Sequence, residues 1–463
     1  MTQNNLIKWD LDLIRRYDLS GPRYTSYPTA IQFDPELSAT DLVHTGQQTA
    51  DNSAPLSLYV HIPFCAHVCY YCACNKVITR NRKKAQPYLD TLYKEMAQLS
   101  GWYANDRTVE QLHFGGGTPT FISNEQMIEV MQQLRQNFKL LDDDSGDYSI
   151  EIDPREVDHE MLKVLREIGF NRVSFGVQDI ELKVQQAVNR VQPVEEIADV
   201  LHEARRLGFR SINIDLIYGL PHQTLESFVK TLDTIIELSP DRLSVFNYAH
   251  MPDRFRSQSH IKAEDLPSPE TKLAILETTI SKLCGAGYVY IGMDHFAKPD
   301  DELALAQQNG KLHRNFQGYT THSDCDLVAM GVSSISQIGD VYYQNEHDMG
   351  AYTAAVEDHH YAIKRGVTLT RDDRIRRAVI TQLICHFQLH MADIEQQFDI
   401  RFSEYFAEEL QELERFTGDG LIQLTENSIK VTPAGRLLIR RICMAFDAYI
   451  PKQAPTKGYS RII

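Results

Sequence analysis

What this 463-residue chain lacks narrows its class before any motif is read. It has no long apolar run and no basic stretch leading into one, so neither a membrane span nor a secretory leader is expected, and the cytosol is the expected compartment. It is short of positive charge. Against 63 Asp and Glu stand 47 Lys and Arg, and the net charge of −16 argues against a broad nucleic-acid or anionic-membrane surface. An anionic ligand would need a local basic pocket. Cysteine is scarce and unevenly placed, with eight in all, which excludes a secreted disulfide scaffold. Low-complexity tracts are absent, and the length exceeds one ordinary core unless that core is a large α/β barrel.

Four of the eight cysteines sit in one stretch, "HIPFCAHVCYYCACNK" (61–76), at Cys65, Cys69, Cys72 and Cys74, while Cys284, Cys325, Cys385 and Cys443 are scattered singly. Clustered thiolates select zinc, copper(I) or iron–sulfur clusters. A structural zinc site ordinarily takes two well-separated cysteine pairs, and no distant second pair follows here. Cys-x3-Cys-x2-Cys lets one loop wrap three corners of an iron–sulfur cube and leaves one iron open to coordinate a small molecule. A zinc knuckle or a set of buried small hydrophobes is the bland alternative. Cys74 follows Cys72 too closely for another corner of the same cube, so it is expected either to face the reaction space or to be structural.

Downstream, one pattern recurs: an amphipathic helix, then glycine plus an aromatic, then a β-branched strand. It reads "VLREIGFNRVSFGVQ" (164–178), "EARRLGFRSINIDLIYGLP" (203–221) and "KLCGAGYVYIGMDHF" (282–296). Gly169, Gly208 and Gly287 stand where a left-handed helix C-cap is wanted, with Phe170, Phe209 and Tyr288 free to pack back on the helix. Further strands are expected at 56–61, 109–114, 147–152 and 243–247, and a helix from Leu225 that Ser239-Pro240 ends. About six or seven strands alternating with helices over 55–300 imply a parallel sheet, open or curled into an incomplete (β/α) barrel. Such sheets carry function at the strand carboxyl ends. There lie the cysteine loop, "GGGTPT", "EIDPRE", "GVQD", "IDLIYGLP" and "NYAH". From about residue 365 the repeat gives way to helices, a hairpin, "DGLIQLTENSIKVT", with Glu426-Asn427 at its tip, and a last helix, "PAGRLLIRRICMAF", in a mostly α, winged-helix-like arrangement. Its acidic segments offer no DNA-binding face, so a cap domain is expected. The expected division is an N-terminal extension (1–54) with a substrate-covering arm, the partial barrel (55–300), a connecting segment completing the active-site side (301–364) and the cap (365–463).

"GGGTPT" (115–120) follows a strand, so bare backbone can approach a ligand, with N–H groups available for a carboxylate. Glu151 ends a strand and could accept hydrogen bonds from ribose hydroxyls. Asp215 lies inside an apolar strand, where an unpaired carboxylate is expensive, so it needs a partner or a ligand. Gln178 and Arg190 sit in or just after a strand-end loop; singly each would read as a surface residue, and together they suggest a site.

The cysteine loop, with the aromatic Tyr71 before its last ligand, resembles that of the radical S-adenosylmethionine (SAM) enzymes. In that superfamily the open iron chelates SAM, whose one-electron reduction yields methionine and a 5′-deoxyadenosyl radical. A wider motif set narrows the resemblance: "GPRYTSYPTA" (21–30), "LYVHIPFC", "GGGTPT", "EIDPRE", "GVQD", "NIDLIYGLP", "DRLSVFNYAH", "IGMDHFA" and "HRNFQGYTT". Together these resemble the oxygen-independent coproporphyrinogen III oxidase family. The resemblance implies anaerobic oxidative decarboxylation of two propionates of coproporphyrinogen III to vinyl groups, giving protoporphyrinogen IX in haem biosynthesis. It implies a 4Fe-4S cluster on Cys65, Cys69 and Cys72, and SAM held by Tyr59, Gly116 and Glu151. It further implies a second SAM, with Tyr71, Gly117, Thr118, Gln178, Arg190, Asp215, Ala249 and Ile335 around the two molecules, and a non-ligating Cys74 required for activity. Tyr71 departs from the family's common phenylalanine but keeps its stacking face. Arg23, Tyr24 and Tyr27 are expected to reach the substrate's propionates, the alternative being that Arg23 merely pairs with an acidic residue. An electron donor and an electron acceptor are required, neither of which the sequence identifies; a monomer is expected. A haem chaperone of the same superfamily is the rival reading, and such proteins generally lack both the "PRYTSYP" arm and the last cysteine.

Overall fold

The computed structural model describes residues 7–358, 360–450, 459, 461 and 462. The chain divides into two compact units, one made of Phe33–Thr279 with Asp324–Thr368, the other of Met1–Gln32, Ile280–Ser323 and Leu369–Ile463.

The first unit is built on seven parallel strands: β1 (Leu56–Ile62), β2 (Thr108–Gly116), β3 (Asp147–Ile152), β4 (Arg172–Gln178), β5 (Ser211–Tyr218), β6 (Arg242–Asn247) and β7 (Asp326–Met330). Their spatial order is β7-β1-β2-β3-β4-β5-β6, an open path rather than a closed ring. Beyond β7 the unit's sheet continues antiparallel through Ile335–Ile338, Val341–Asn345 and Ile363–Thr368. The connections are helices: α1 (Ala85–Tyr103), α2 (Asn124–Asn137), α3 (His159–Glu167), α4 (Val194–Arg206) and α5 (Leu225–Leu238). This is the incomplete (β/α) arrangement expected from the alternation of strands and helices.

Local chemistry explains the elements. Leu56, Leu58, Val60 and Ile62 of β1 are wholly buried on one face, and Ser57 and His61 are buried on the other, as a strand covered on both sides requires. Burying each such aliphatic side chain contributes about 1.5–3 kcal/mol. Reciprocal Ser123–Gln126 and Thr224–Ser227 capping boxes start α2 and α5, and Asp158 caps α3. The expected glycine C-caps are present. Gly169 and Gly208 have φ of 116° and 79°, and the Phe170 and Phe209 N–H groups reach back to Leu165 O (3.0 Å) and Ala204 O (3.1 Å).

Two sequence expectations change in detail. The third αβ repeat does have its cap, with Tyr288 N–H donating to Leu283 O at 3.0 Å. Its strand Val289–Gly292, however, turns at Met293-Asp294 into an antiparallel partner, His295–Ala297. The seventh parallel strand is instead β7, next to β1.

In the second unit, a helix (Arg371–His386) precedes helices Met391–Phe398, Phe402–Tyr405 and Ala407–Gly418. A three-stranded antiparallel sheet orders Gln388–His390, Ser428–Val431 and Ile422–Leu424, and contains the expected hairpin with Glu426-Asn427 at its tip. The expected last helix is broken into two 3-10 turns flanking Ile439–Cys443. Buried Arg440 lies in this segment, and its guanidinium donates to the carbonyls of Gly21, Pro22 (2.8 Å), Arg461 (2.7 Å) and Ile462 (3.2 Å), tying the two chain ends to it. No described helix is long and apolar enough to cross a membrane.

Candidate active site

The carboxyl ends of β1 to β5 open onto a cavity of about 210 Å3. Its lining includes Cys65, Cys69, Cys72 and Cys74 from the loop after β1, Gly116, Gly117 and Thr118 after β2, Glu151 and Asp153 at the end of β3, Gly176 and Gln178 of β4, Arg190 and Asp215. Twelve residues that the sequence motifs single out thus meet in one place: the four cysteines, Tyr71, Gly116, Gly117, Thr118, Glu151, Gln178, Arg190 and Asp215. All eight cysteines are free thiols.

The cysteine loop is anchored at both ends. Phe64-Cys65 pairs in parallel with Val77-Ile78, and Val77 N–H donates to Pro63 O at 2.7 Å. Between these ends, residues far along the chain fix it: Tyr70 N–H to Val188 O (3.0 Å), Asn189 Nδ2 to Val68 O (2.7 Å), Gln258 Nε2 to Tyr71 O (2.9 Å) and Ser257 Oγ to Cys72 O (2.7 Å). The Tyr70 ring stacks on His260 at 4.5 Å, and Tyr70 and Tyr71 pack on Val184, Val188, Leu220, Tyr248 and Ile261. Asn189, Ser257, Gln258 and His260 carry no motif, and their sequence distance from the loop hides them.

The glycine segment serves the loop in a way that differs from the sequence expectation of free N–H groups. Gly117 N–H donates to Ile62 O and Thr118 N–H to Phe64 O, both at 2.8 Å, and Gly116 N–H to Glu151 Oε2 at 3.2 Å. All three are engaged within the fold. What glycine supplies is proximity: a Cβ on Gly117 would lie 2.7 Å from the Pro63 backbone, and one on Gly116, whose φ is +114°, would meet the His61 ring at 2.6 Å.

Around the thiols the charges are ordered. Arg190 Nη1 donates to Cys69 Sγ (3.4 Å) and Asp153 Oδ2 (2.9 Å), and Arg155 Nη2 to the same two atoms (3.6 and 2.7 Å). Gly176 leaves room for this, since a Cβ there would lie 3.1 Å from Arg190 Nη2. Burial opposes ionisation of Asp153, yet the Arg190 and Arg155 charges hold its carboxyl below the ordinary range. Burial pushes the Cys65 thiol up to about 12, whereas Cys72, hydrogen-bonded by Cys74 and facing Lys76, is lowered to about 6.

Two carboxylates across the cavity behave differently. Glu151 resists the pull of burial because His113 and Gly116 N–H stabilise its charge, leaving it lowered. Asp215 has only neutral donors, Asn213 Nδ2 (2.8 Å), Ser174 Oγ (3.0 Å) and the Ser244 hydroxyl, so burial and the Glu151 charge raise it to about 6. Gln178 adopts a left-handed φ of 69° at a break in the β4–β5 register, a strained conformation of the kind that re-aims side chains at sites.

Not every expected residue lines the cavity. Tyr59 lies beside it, its hydroxyl 3.1 Å from His61 Nδ1 and its ring stacked on His113 at 5.9 Å. Ala249 follows β6, and Ile335 begins the antiparallel strand after β7. Arg23, Tyr24 and Tyr27 belong to the second unit. There Arg23 pairs with Asp294, the alternative anticipated for it, Tyr24 OH donates to Asp447 Oδ2 (2.9 Å), and Tyr27 OH accepts from Ala448 N–H (3.0 Å).

Residues 59–235 match the model of the Radical SAM superfamily, and residues 369–438 that of the HemN C-terminal domain. The chain is 58% identical to the oxygen-independent coproporphyrinogen III oxidase of Pseudomonas aeruginosa and 53% identical to that of Escherichia coli, each over 99% of both chains. The chain belongs to the oxygen-independent coproporphyrinogen III oxidases. A solved structure of coproporphyrinogen III oxidase (HemN) from Escherichia coli, described as a radical SAM enzyme, superposes with a TM-score of 0.92 at 52% identity, covering 96% of this chain and all of that one. The oxidase family takes a 4Fe-4S cluster and SAM, and the site suits both. Three spaced thiols share one cavity with Arg190, whose buried Nε has no hydrogen-bond partner.

Proposed function

We propose that this protein catalyses the anaerobic oxidative decarboxylation of two propionates of coproporphyrinogen III, giving the two vinyl groups of protoporphyrinogen IX. The observation that carries the reading is the joining of a Cys-x3-Cys-x2-Cys loop to a cavity bearing Glu151, Asp215 and Arg190, in a chain that matches oxidases of this name over nearly its full length.

When bound, the cluster and SAM supply a radical able to take hydrogen from an unactivated carbon, which no protein side chain can do. The chain's own residues bind and orient. Cys65, Cys69 and Cys72 would hold the cluster, with Arg190 and Arg155 directing N–H groups at the Cys69 sulfur. Glu151 and Asp215 are acceptors suited to ribose hydroxyls, and an acidic cavity suits the SAM sulfonium and ammonium. Gly116, Gly117 and Thr118 shape the wall against which the methionyl end would lie, and Tyr71 offers a flat face beside the cluster. The same motif positions support a second SAM, with Gln178, Ala249 and Ile335 among the residues around the two molecules and Tyr59 among those that would hold the first. Cys74 reaches the cavity without being needed as a ligand. Arg23, Tyr24 and Tyr27 would meet propionates only by giving up their present partners.

Each propionate that becomes a vinyl group loses one hydrogen atom, one carbon dioxide and one electron. An electron donor for SAM cleavage and an electron acceptor for the product side must therefore come from outside the chain. The free thiols suit a reducing compartment such as the cytosol, and we take the chain to act as a monomer, which sedimentation would check.

The test is turnover without oxygen: reconstituted protein, a reductant, SAM, an electron acceptor and coproporphyrinogen III, with mass spectrometry of the tetrapyrrole. The divinyl product is expected. Consumption of SAM beside an untouched tetrapyrrole would remove this substrate from the reading.

A further inference from the structure

The cavity is lined by four carboxylates, Glu151, Asp153, Glu156 and Asp215, and by three side chains that can carry positive charge, His67, Lys76 and Arg190. Two of those three are matched: His67 Nε2 lies 3.2 Å from Glu156 and Arg190 Nη1 2.9 Å from Asp153. Lys76 is not. Its ammonium donates to the carbonyls of Cys72 (3.2 Å) and Cys74 (3.4 Å), and no carboxylate among the described residues pairs with it. Those two carbonyls leave one of the three ammonium protons over, and the charge, turned toward the Cys72 sulfur, meets no carboxylate.

The cavity's other groups suit positive and hydroxylic parts of a ligand, whereas both proposed ligands also carry carboxylates. The cavity's carboxylates already have partners of their own, so a ligand carboxylate taken out of water here enters at a large electrostatic cost unless a further cation receives it. Arg190 is already held by Asp153 and by the Gly176 carbonyl. We propose that Lys76 is the carboxylate receptor of this cavity, its ammonium taking a carboxylate of the bound ligand, either a propionate of the tetrapyrrole or the methionyl carboxylate of SAM. The inference rests on the function proposed above for the identity of these ligands.

The discriminating variant is Lys76→Gln, which keeps an N–H donor for the loop carbonyls and removes the charge; Lys76→Arg restores the charge. Both are read on cluster-loaded protein, by equilibrium binding of labelled SAM and by the KM for coproporphyrinogen III. A charged hydrogen bond lost from binding lowers affinity about tenfold to a hundredfold. In Lys76→Gln such a loss is expected in one constant, with recovery in Lys76→Arg. Loss in the tetrapyrrole KM alone identifies the propionate, and loss in SAM binding alone the methionyl group. Both constants unchanged in Lys76→Gln would overturn the proposal. So would failure of both variants to hold iron, which would make Lys76 a strut of the loop. A wild-type protein that binds SAM but leaves coproporphyrinogen unconverted would sink the proposed substrate and leave the SAM arm of the test intact.

Discussion

Asp215 and Cys74 show how much of the site is decided by single atoms. Asp215 binds its proton up to about pH 6 in the folded chain, against an ordinary 3.8, because burial and the Glu151 charge disfavour its anion and only the neutral donors of Asn213, Ser174 and Ser244 answer it. The folded state thus holds the proton more tightly than the unfolded one. The stabilisation this gives is complete below 3.8 and is lost as pH rises through 6. Asp215→Asn should remove that slope, making the cluster-free protein more stable than wild type at neutral pH by on the order of 3 kcal/mol while weakening SAM binding. Melting temperatures of both proteins measured across this range check it, and parallel curves would refute it. Cys74 lines the cavity while its N–H group turns to Cys72 Sγ at 3.4 Å. If three thiols hold the cluster, Cys74→Ser should keep wild-type iron and sulfide and still cleave SAM, yet lose about a hundredfold in tetrapyrrole conversion. Iron analysis beside product assay decides, and a loss of iron would make Cys74 a ligand. At this scale the thiols, glycines and strand-end carboxylates were legible because their residue types are costly in such positions. That Lys76 meets no carboxylate among the described residues was not, since pairing is a property of three-dimensional neighbours.

Among the elements, the parallel strands were readable from alternation and, after α3 and α4, from the Gly-aromatic punctuation. Those patterns are local, and so were the capping bonds that confirm them. What local pattern could not tell was order in space. The short run at 326–330 joins β1 at the far end of the parallel set, and the strand at 289–292 folds onto 295–297, because pairing partners are chosen by tertiary packing. Nor could local pattern tell that Arg440, in the broken last helix, takes its partners from both ends of the chain. The junction of β1 and β2 offers a sharp test at this level. Gly117 brings the second strand against Pro63 at the base of the cysteine loop, where a methyl group would meet backbone at 2.7 Å. Gly117→Ala should cost about 1–3 kcal/mol in unfolding free energy and lower the iron retained per chain, because backbone cannot move aside as a flexible side chain can. Denaturant titration and iron content measure the two effects, and a variant equal to wild type in both would show that the loop base tolerates the shift.

For the whole molecule, the governing fact is a net charge of −16 set against a substrate with four propionates. Like charges repel over the distance that salt leaves unscreened, roughly 30 Å at 0.01 M and 8 Å at 0.15 M ionic strength. Encounter with coproporphyrinogen is therefore opposed at low salt, and the favourable interaction must come from a few local groups once the ligand is inside. SAM, with its sulfonium and ammonium against one carboxylate, experiences the opposite field. Raising ionic strength across that range should increase kcat/KM for the tetrapyrrole severalfold and leave SAM binding equal or slightly weaker, the reverse of an electrostatically steered anion enzyme. Initial rates without oxygen, at fixed saturating SAM and graded potassium chloride, give the slope directly. A fall with salt would mean that a concentrated basic patch at the entrance outweighs the overall charge, and the acidic composition would then say nothing about how the substrate arrives.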